Sequence, residues 1–157
     1  EMNRGCAGGG VAVIAVAAAI WISQNGSGEA AGILPYEDEE VVALGRRVYA
    51  EACATCHGMR LEGEARNWRQ AKPNGRMPAP PHDETGHTWH HDDRVLFLIT
   101  KYGSEEVVGG GYESDMAGFA DVLTDEEILA TLAFIKSTWS EQVIEHHNER
   151  NRAAFGG

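Results

Sequence analysis

Cys53-Ala54-Thr55-Cys56-His57 sets two thiols three residues apart, with an imidazole directly after the second. On one helical turn, residues at i and i+3 share a face. Two thiols so placed can reach the two vinyl groups along one edge of a porphyrin, and the next residue then offers its imidazole to the iron from below. Thioether bonds hold such a group without a large pocket, so a small domain can keep it. A zinc site needs a further pair of ligands of this kind, and the chain has no second C-x-x-C. A thioredoxin-like redox pair would sit in a βαβ pattern, and no alternating strand pattern surrounds this one. The motif therefore reads as the attachment site of one covalent haem c.

The flanking segments read as helices. Ahead of the motif, Val41, Val42, Leu44, Val48, Tyr49 and Ala52 fall on one face of a helix over residues 39–52, with Asp38 in position to cap it. Residues 58–92 carry little helical signal and hold four of the five prolines. A second helix is expected over residues 93–102, with Val95, Leu98, Ile99 and Tyr102 on one face and Gly103 as its stop. Thr124-Asp125-Glu126-Glu127 reads as a capping box that opens a third helix, running through Ile128, Leu132 and Ile135 to about residue 149. Between the second and third lies a Gly-rich, acidic stretch, residues 102–115, readable as a mobile flap or a surface insertion.

In this order of features the chain resembles the class I c-type cytochromes over about residues 39–138: a helix, the motif with Gly58 after it, a Pro-rich loop, a helix, a Met, and a capped helix ending Phe134-Ile135-Lys136-Ser137. The resemblance implies an all-α, small cytochrome c fold in which three main helices wrap one haem. It implies that the first and last helices cross, with Gly45 and Tyr49 meeting the region of Ala133 and Phe134. It implies electron transfer with His57 and a Met sulfur as axial ligands of the iron, and Cys53 and Cys56 as the attachment points. A thioether ligand favours the ferrous state and raises the potential.

Of the four Met, Met2 lies ahead of the domain and Met59 is too near His57 to reach the opposite haem face. Met77 and Met116 remain. The family's ligand position corresponds to Met116, in Asp115-Met116-Ala117-Gly118-Phe119, although Ala117 stands where the family often has Pro. Met77, followed by Pro78, is the alternative. The family also holds its proximal His through a backbone carbonyl of a Pro in the following loop, which here points to Pro80 or Pro81. Arg76 or Trp89 is expected at a haem propionate, since partly buried anions need cationic or N–H donors. His82, His87, His90 and His91 form a second cluster of metal-ligating residue types, with no thiol or Met set to complete an obvious site.

With 13 Lys and Arg against 24 Asp and Glu, the 157-residue chain has a net charge of −11. That argues against nucleic acid as a partner, because nothing offsets phosphate repulsion. It suits docking to a basic surface. Three cysteines are too few for a disulfide scaffold.

Gly5 to Ile22 is free of charge for 18 residues, a span of roughly 27 Å as a helix, near the lower limit for crossing a bilayer. Residues 1–22 are expected to be a transmembrane anchor or an uncleaved signal segment, residues 23–35 a flexible linker, and residues 36–157 the cytochrome domain. Arg4 ahead of the span and the acidic bulk behind it place the domain outside the cytoplasm. Cys6 lacks the apolar lead of an acylated cysteine and reads as a small residue of the span. The expectation is a single-pass protein of the bacterial inner membrane with its haem on the periplasmic side. By family analogy its partners are a quinol–cytochrome c oxidoreductase and a terminal oxidase. The linker reaches only about 20 Å as a flexible coil, so a fixed haem subunit of a larger membrane oxidoreductase competes with a mobile carrier. A haem enzyme or gas sensor with an open distal site is the third reading.

Overall fold

A computed structural model describes residues 32–156 of the chain. The expected anchor and most of the linker lie outside the described residues. Among the described residues, no helix is long and apolar enough to cross a membrane.

Helix α1 (Glu39–Val48) begins where expected. The Asp38 carboxylate accepts hydrogen bonds from the Glu40 and Val41 amides, at 3.0 and 3.1 Å. Glu39 and Glu40 lie at the positive end of the helix dipole, Arg46 and Arg47 at the negative end. The helical run does not stop at Ala52. It passes through a π turn, Tyr49–Cys53, into α2 (Ala54–His57), and ends at Gly58, whose φ of +80° a side chain would strain. The haem motif therefore follows directly on a change of helical register, a device common at functional sites.

Helix α3 (Asp93–Tyr102) has the expected bounds, with Asp92 as its cap and Gly103 as its stop. The Gly-rich stretch over residues 102–115 contains a short helix, α4 (Ser104–Val108). Helix α5 (Asp125–Ser137) opens on the capping box, where the Thr124 and Glu127 side chains and backbone amides bond reciprocally.

The third helix does not continue to about residue 149. The Ser137 and Thr138 hydroxyls donate back to the carbonyls of Phe134 and Ile135. Trp139 is buried, and its indole N–H donates to the His82 carbonyl at 2.8 Å. This contact ends α5, and a separate helix, α6 (Glu141–Phe155), begins after Ser140. Among the described residues there is thus a fourth long helix where three main helices are expected.

Helices α1 and α5 pack face to face. A β-carbon at Gly45 would run into the Ala130 carbonyl, so the two backbones touch there. The closest backbone approach is at Ala130, one turn ahead of the expected region of Ala133 and Phe134. One turn on, Tyr49 and Phe134 meet as expected, with ring centroids 5.5 Å apart. Around this contact the core gathers Leu96, Ile128, Leu132, Ala133 and Ile135.

Helix α6 is held by polar groups. The Lys136 ammonium donates to Asn148 at 2.7 Å, and the Asp93 amide donates to the Asn151 side-chain oxygen at 2.9 Å. The Asp93 carboxylate accepts from the amides of Ile33 and Leu34, at 2.7 and 3.2 Å. The packed body therefore already includes Leu34, which is buried, ahead of the helical patterning that starts at Tyr36.

Candidate functional site

The His57 imidazole is buried at the end of α2. Its Nδ1 lies 2.9 Å from the Pro80 carbonyl oxygen. A carbonyl can only accept, so Nδ1 carries the proton and Nε2 is left as the atom able to ligate a metal. Burial lowers the His57 pKa and the Pro80 bond partly offsets this. The ring is thus neutral and oriented. Of the two prolines anticipated, Pro80 is the one that takes the bond.

The turn around the motif is fixed by several bonds. The Tyr49 hydroxyl donates to the Gly58 carbonyl at 2.8 Å, and the Leu61 amide donates to the same oxygen at 3.2 Å. Gly63 N–H donates to the His57 carbonyl at 2.7 Å. Leu61 is buried yet sits at φ +67°, a region that bulky residues avoid. Its carbonyl accepts from His82 and its amide donates to Gly58, so hydrogen bonds at both ends offset the strain.

Cys53 is half-buried and Cys56 exposed. Burial, and then the neighbouring Cys56, push the Cys53 thiol up to about 11. Two thiols on one turn, beside an imidazole presenting a bare Nε2, fit a covalently attached haem.

His82 contributes something the sequence did not signal. Its ring stacks on His57 at 3.9 Å between centroids, with an interplanar angle of 22°. Its Nδ1 lies 2.7 Å from the Thr88 hydroxyl. Burial, with His57 and His87 nearby, holds its pKa well below the usual histidine value, so it stacks as a neutral ring. His87, His90 and His91 gather with Trp68 and Trp89 on the loop. Among the described residues, no group of three or more His, Cys, Asp and Glu side chains is arranged to hold a metal ion.

Met116 lies half-buried on a segment pinned to the end of α3. Its amide donates to the Ser114 hydroxyl at 3.0 Å, and its carbonyl accepts from the Ser104 amide at 3.2 Å. Gly118 lies so close to the Lys101 and Tyr102 backbone that no side chain would fit. Met77, by contrast, belongs to the same loop as Pro80, three residues before it. Arg76 is engaged with Asp115, and the Trp89 indole donates to the Glu84 carbonyl at 3.3 Å. Both expected propionate donors thus have protein partners.

The sequence matches the cytochrome c family over residues 42–139. The chain is also similar in structure to cytochrome cL from the marine methylotrophic bacterium Methylophaga aminisulfidivorans MPT, with a TM-score of 0.51 and 25% sequence identity, over 80% of this chain and 75% of that one. A search of curated proteins finds no match. Helix α6 lies beyond the family-matched span.

Proposed function

Because the chain belongs to the cytochrome c family and carries one covalent haem c for electron transfer, we propose that it is an electron carrier with His/Met-ligated iron. Cys53 and Cys56 hold the haem by thioether bonds, and His57 Nε2 and the Met116 sulfur are its axial ligands. The observation that carries this reading is the His57–Pro80 hydrogen bond, which fixes the tautomer and aims Nε2 away from the loop. The haem supplies reversible one-electron chemistry at its iron. The chain's own residues hold the ligands still, so that little rearranges between the two oxidation states. No substrate is transformed.

Met116 is favoured over Met77 by its place on the chain. Its segment leaves from α3, whereas Met77 sits in the loop that already serves His57 through Pro80. The test is the sulfur-to-iron charge-transfer band of the ferric protein. Met116→Ala should abolish it and Met77→Ala should leave it intact. Rapid carbon monoxide binding by the unmodified ferrous protein would instead mean an open distal site, and an enzyme or sensor.

The setting we propose is the periplasmic face of a bacterial inner membrane, with residues 1–22 as a single-pass anchor. There the haem domain would pass electrons from a quinol–cytochrome c oxidoreductase to a terminal oxidase. A second reading, a fixed haem subunit of a larger membrane oxidoreductase, is favoured by one observation. Asp93 pins Ile33 and Leu34, two residues of the expected linker, to the domain. Co-purification with other membrane subunits in mild detergent supports the fixed subunit, and a lone monomer supports the shuttle.

A further inference from the structure

Asp115, the residue before Met116, has both carboxylate oxygens taken by cations from another loop. Lys72 Nζ lies 2.7 Å from one oxygen and Arg76 Nη1 2.5 Å from the other. Those partners are 43 and 39 residues away along the chain, so the pairs cross-link two loops. Lys72 also reaches Glu64 at 3.3 Å. Glu64 in turn exchanges two bonds with Ala79, its carboxylate accepting from the Ala79 amide and its amide donating to the Ala79 carbonyl, each at 2.9 Å. The next residue is Pro80, which holds His57. One connected set of bonds therefore links the support of His57 to the segment that carries Met116.

We propose that Asp115 is a positioning residue for Met116, tethering the sulfur-bearing segment to the loop that orients His57. The inference rests on the reading of Met116 as the axial ligand. Ala117 gives the physical reason a tether is needed, since a Pro there would fix φ by its ring and Ala does not. Ser104 and Ser114 restrain the Met116 backbone at its carbonyl and amide, and Asp115 adds a side-chain link to a second loop. An exposed ion pair taken singly adds little, but two cations closing on one carboxylate from a distant loop form a network with fixed geometry. Within the network the charges of Lys72 and Arg76 face those of Asp115 and Glu64.

The test uses the ferric holoprotein and imidazole as an exchanging ligand. At saturating imidazole, the rate of ligand replacement reports how often the sulfur leaves the iron. Asp115→Asn should raise that rate about five-fold. Lys72→Met and Arg76→Met should each raise it less, and combining Arg76→Met with Asp115→Asn should add nothing further. Added salt should speed exchange in the unmodified protein and not in Asp115→Asn. Amide hydrogen exchange over residues 114–119 should quicken in the same variants. Arg152→Met breaks the Arg152–Glu145 pair on α6 and is the control for general charge effects. A rate in Asp115→Asn equal to that of the unmodified protein, with the sulfur band present in both, overturns the inference alone. A missing sulfur band in the unmodified protein overturns the Met116 assignment and the inference with it.

Discussion

The Asp93 and His147 side chains meet with Oδ1 and Nε2 3.4 Å apart, and both are shut off from solvent. The contact joins the start of α3 to α6, beyond the span shared with the family. Burial, and then the nearby Lys136 ammonium, drive His147 down to about 4 from its ordinary 6.5, with Asp93 offsetting only part of the shift. The folded protein thus keeps this ring neutral at pH values where the unfolded chain takes up a proton. Stability that is full above pH 6.5 is lost as pH falls toward 4 and levels off below. The unfolding temperature of the holoprotein should drop between pH 7 and 4.5, and drop less in His147→Gln. Equal slopes in both proteins contradict this account.

Gly45 sets the α1–α5 crossing. A β-carbon there meets the Ala130 carbonyl, a backbone group that cannot rotate away. Gly45→Val should cost on the order of 3 kcal/mol through overpacking, read from urea unfolding of the holoprotein. A loss near zero would mean that the helices are not in backbone contact.

Tyr49 closes the turn after the haem motif by donating to Gly58, and its ring packs on Phe134. Tyr49→Phe keeps the ring and removes the hydroxyl, so it should cost only about 1 kcal/mol. Tyr49→Ala also removes a buried ring and should cost about 4 kcal/mol. Equal losses in the two variants would show that the hydroxyl, and not the ring, dominates.

What the sequence makes legible is what depends on near neighbours. The Asp38 cap, the Gly103 stop and the Thr124–Glu127 box are bonds within one turn, and each stands where its residues predict. The Pro80 acceptor came from the family resemblance, not from spacing. The misread elements depend on distant partners. The α5–α6 break follows from Trp139 reaching His82, 57 residues away, while the local pattern after Ser137 still suits a helix. The Arg76–Asp115 pair likewise joins residues 39 apart, beyond the reach of any local pattern. The stacking of His82 on His57 depends on how the loop folds back through Leu61, whose left-handed backbone no residue pattern announced.

The most direct test is peptide mass mapping of the protein matured with a haem-attachment system. One haem should be found on the peptide that contains Cys53 and Cys56, bound through both thiols, and Cys53→Ala with Cys56→Ala should abolish attachment. A polypeptide of bare mass, or haem that extracts freely into acidified organic solvent, would contradict the account at its root.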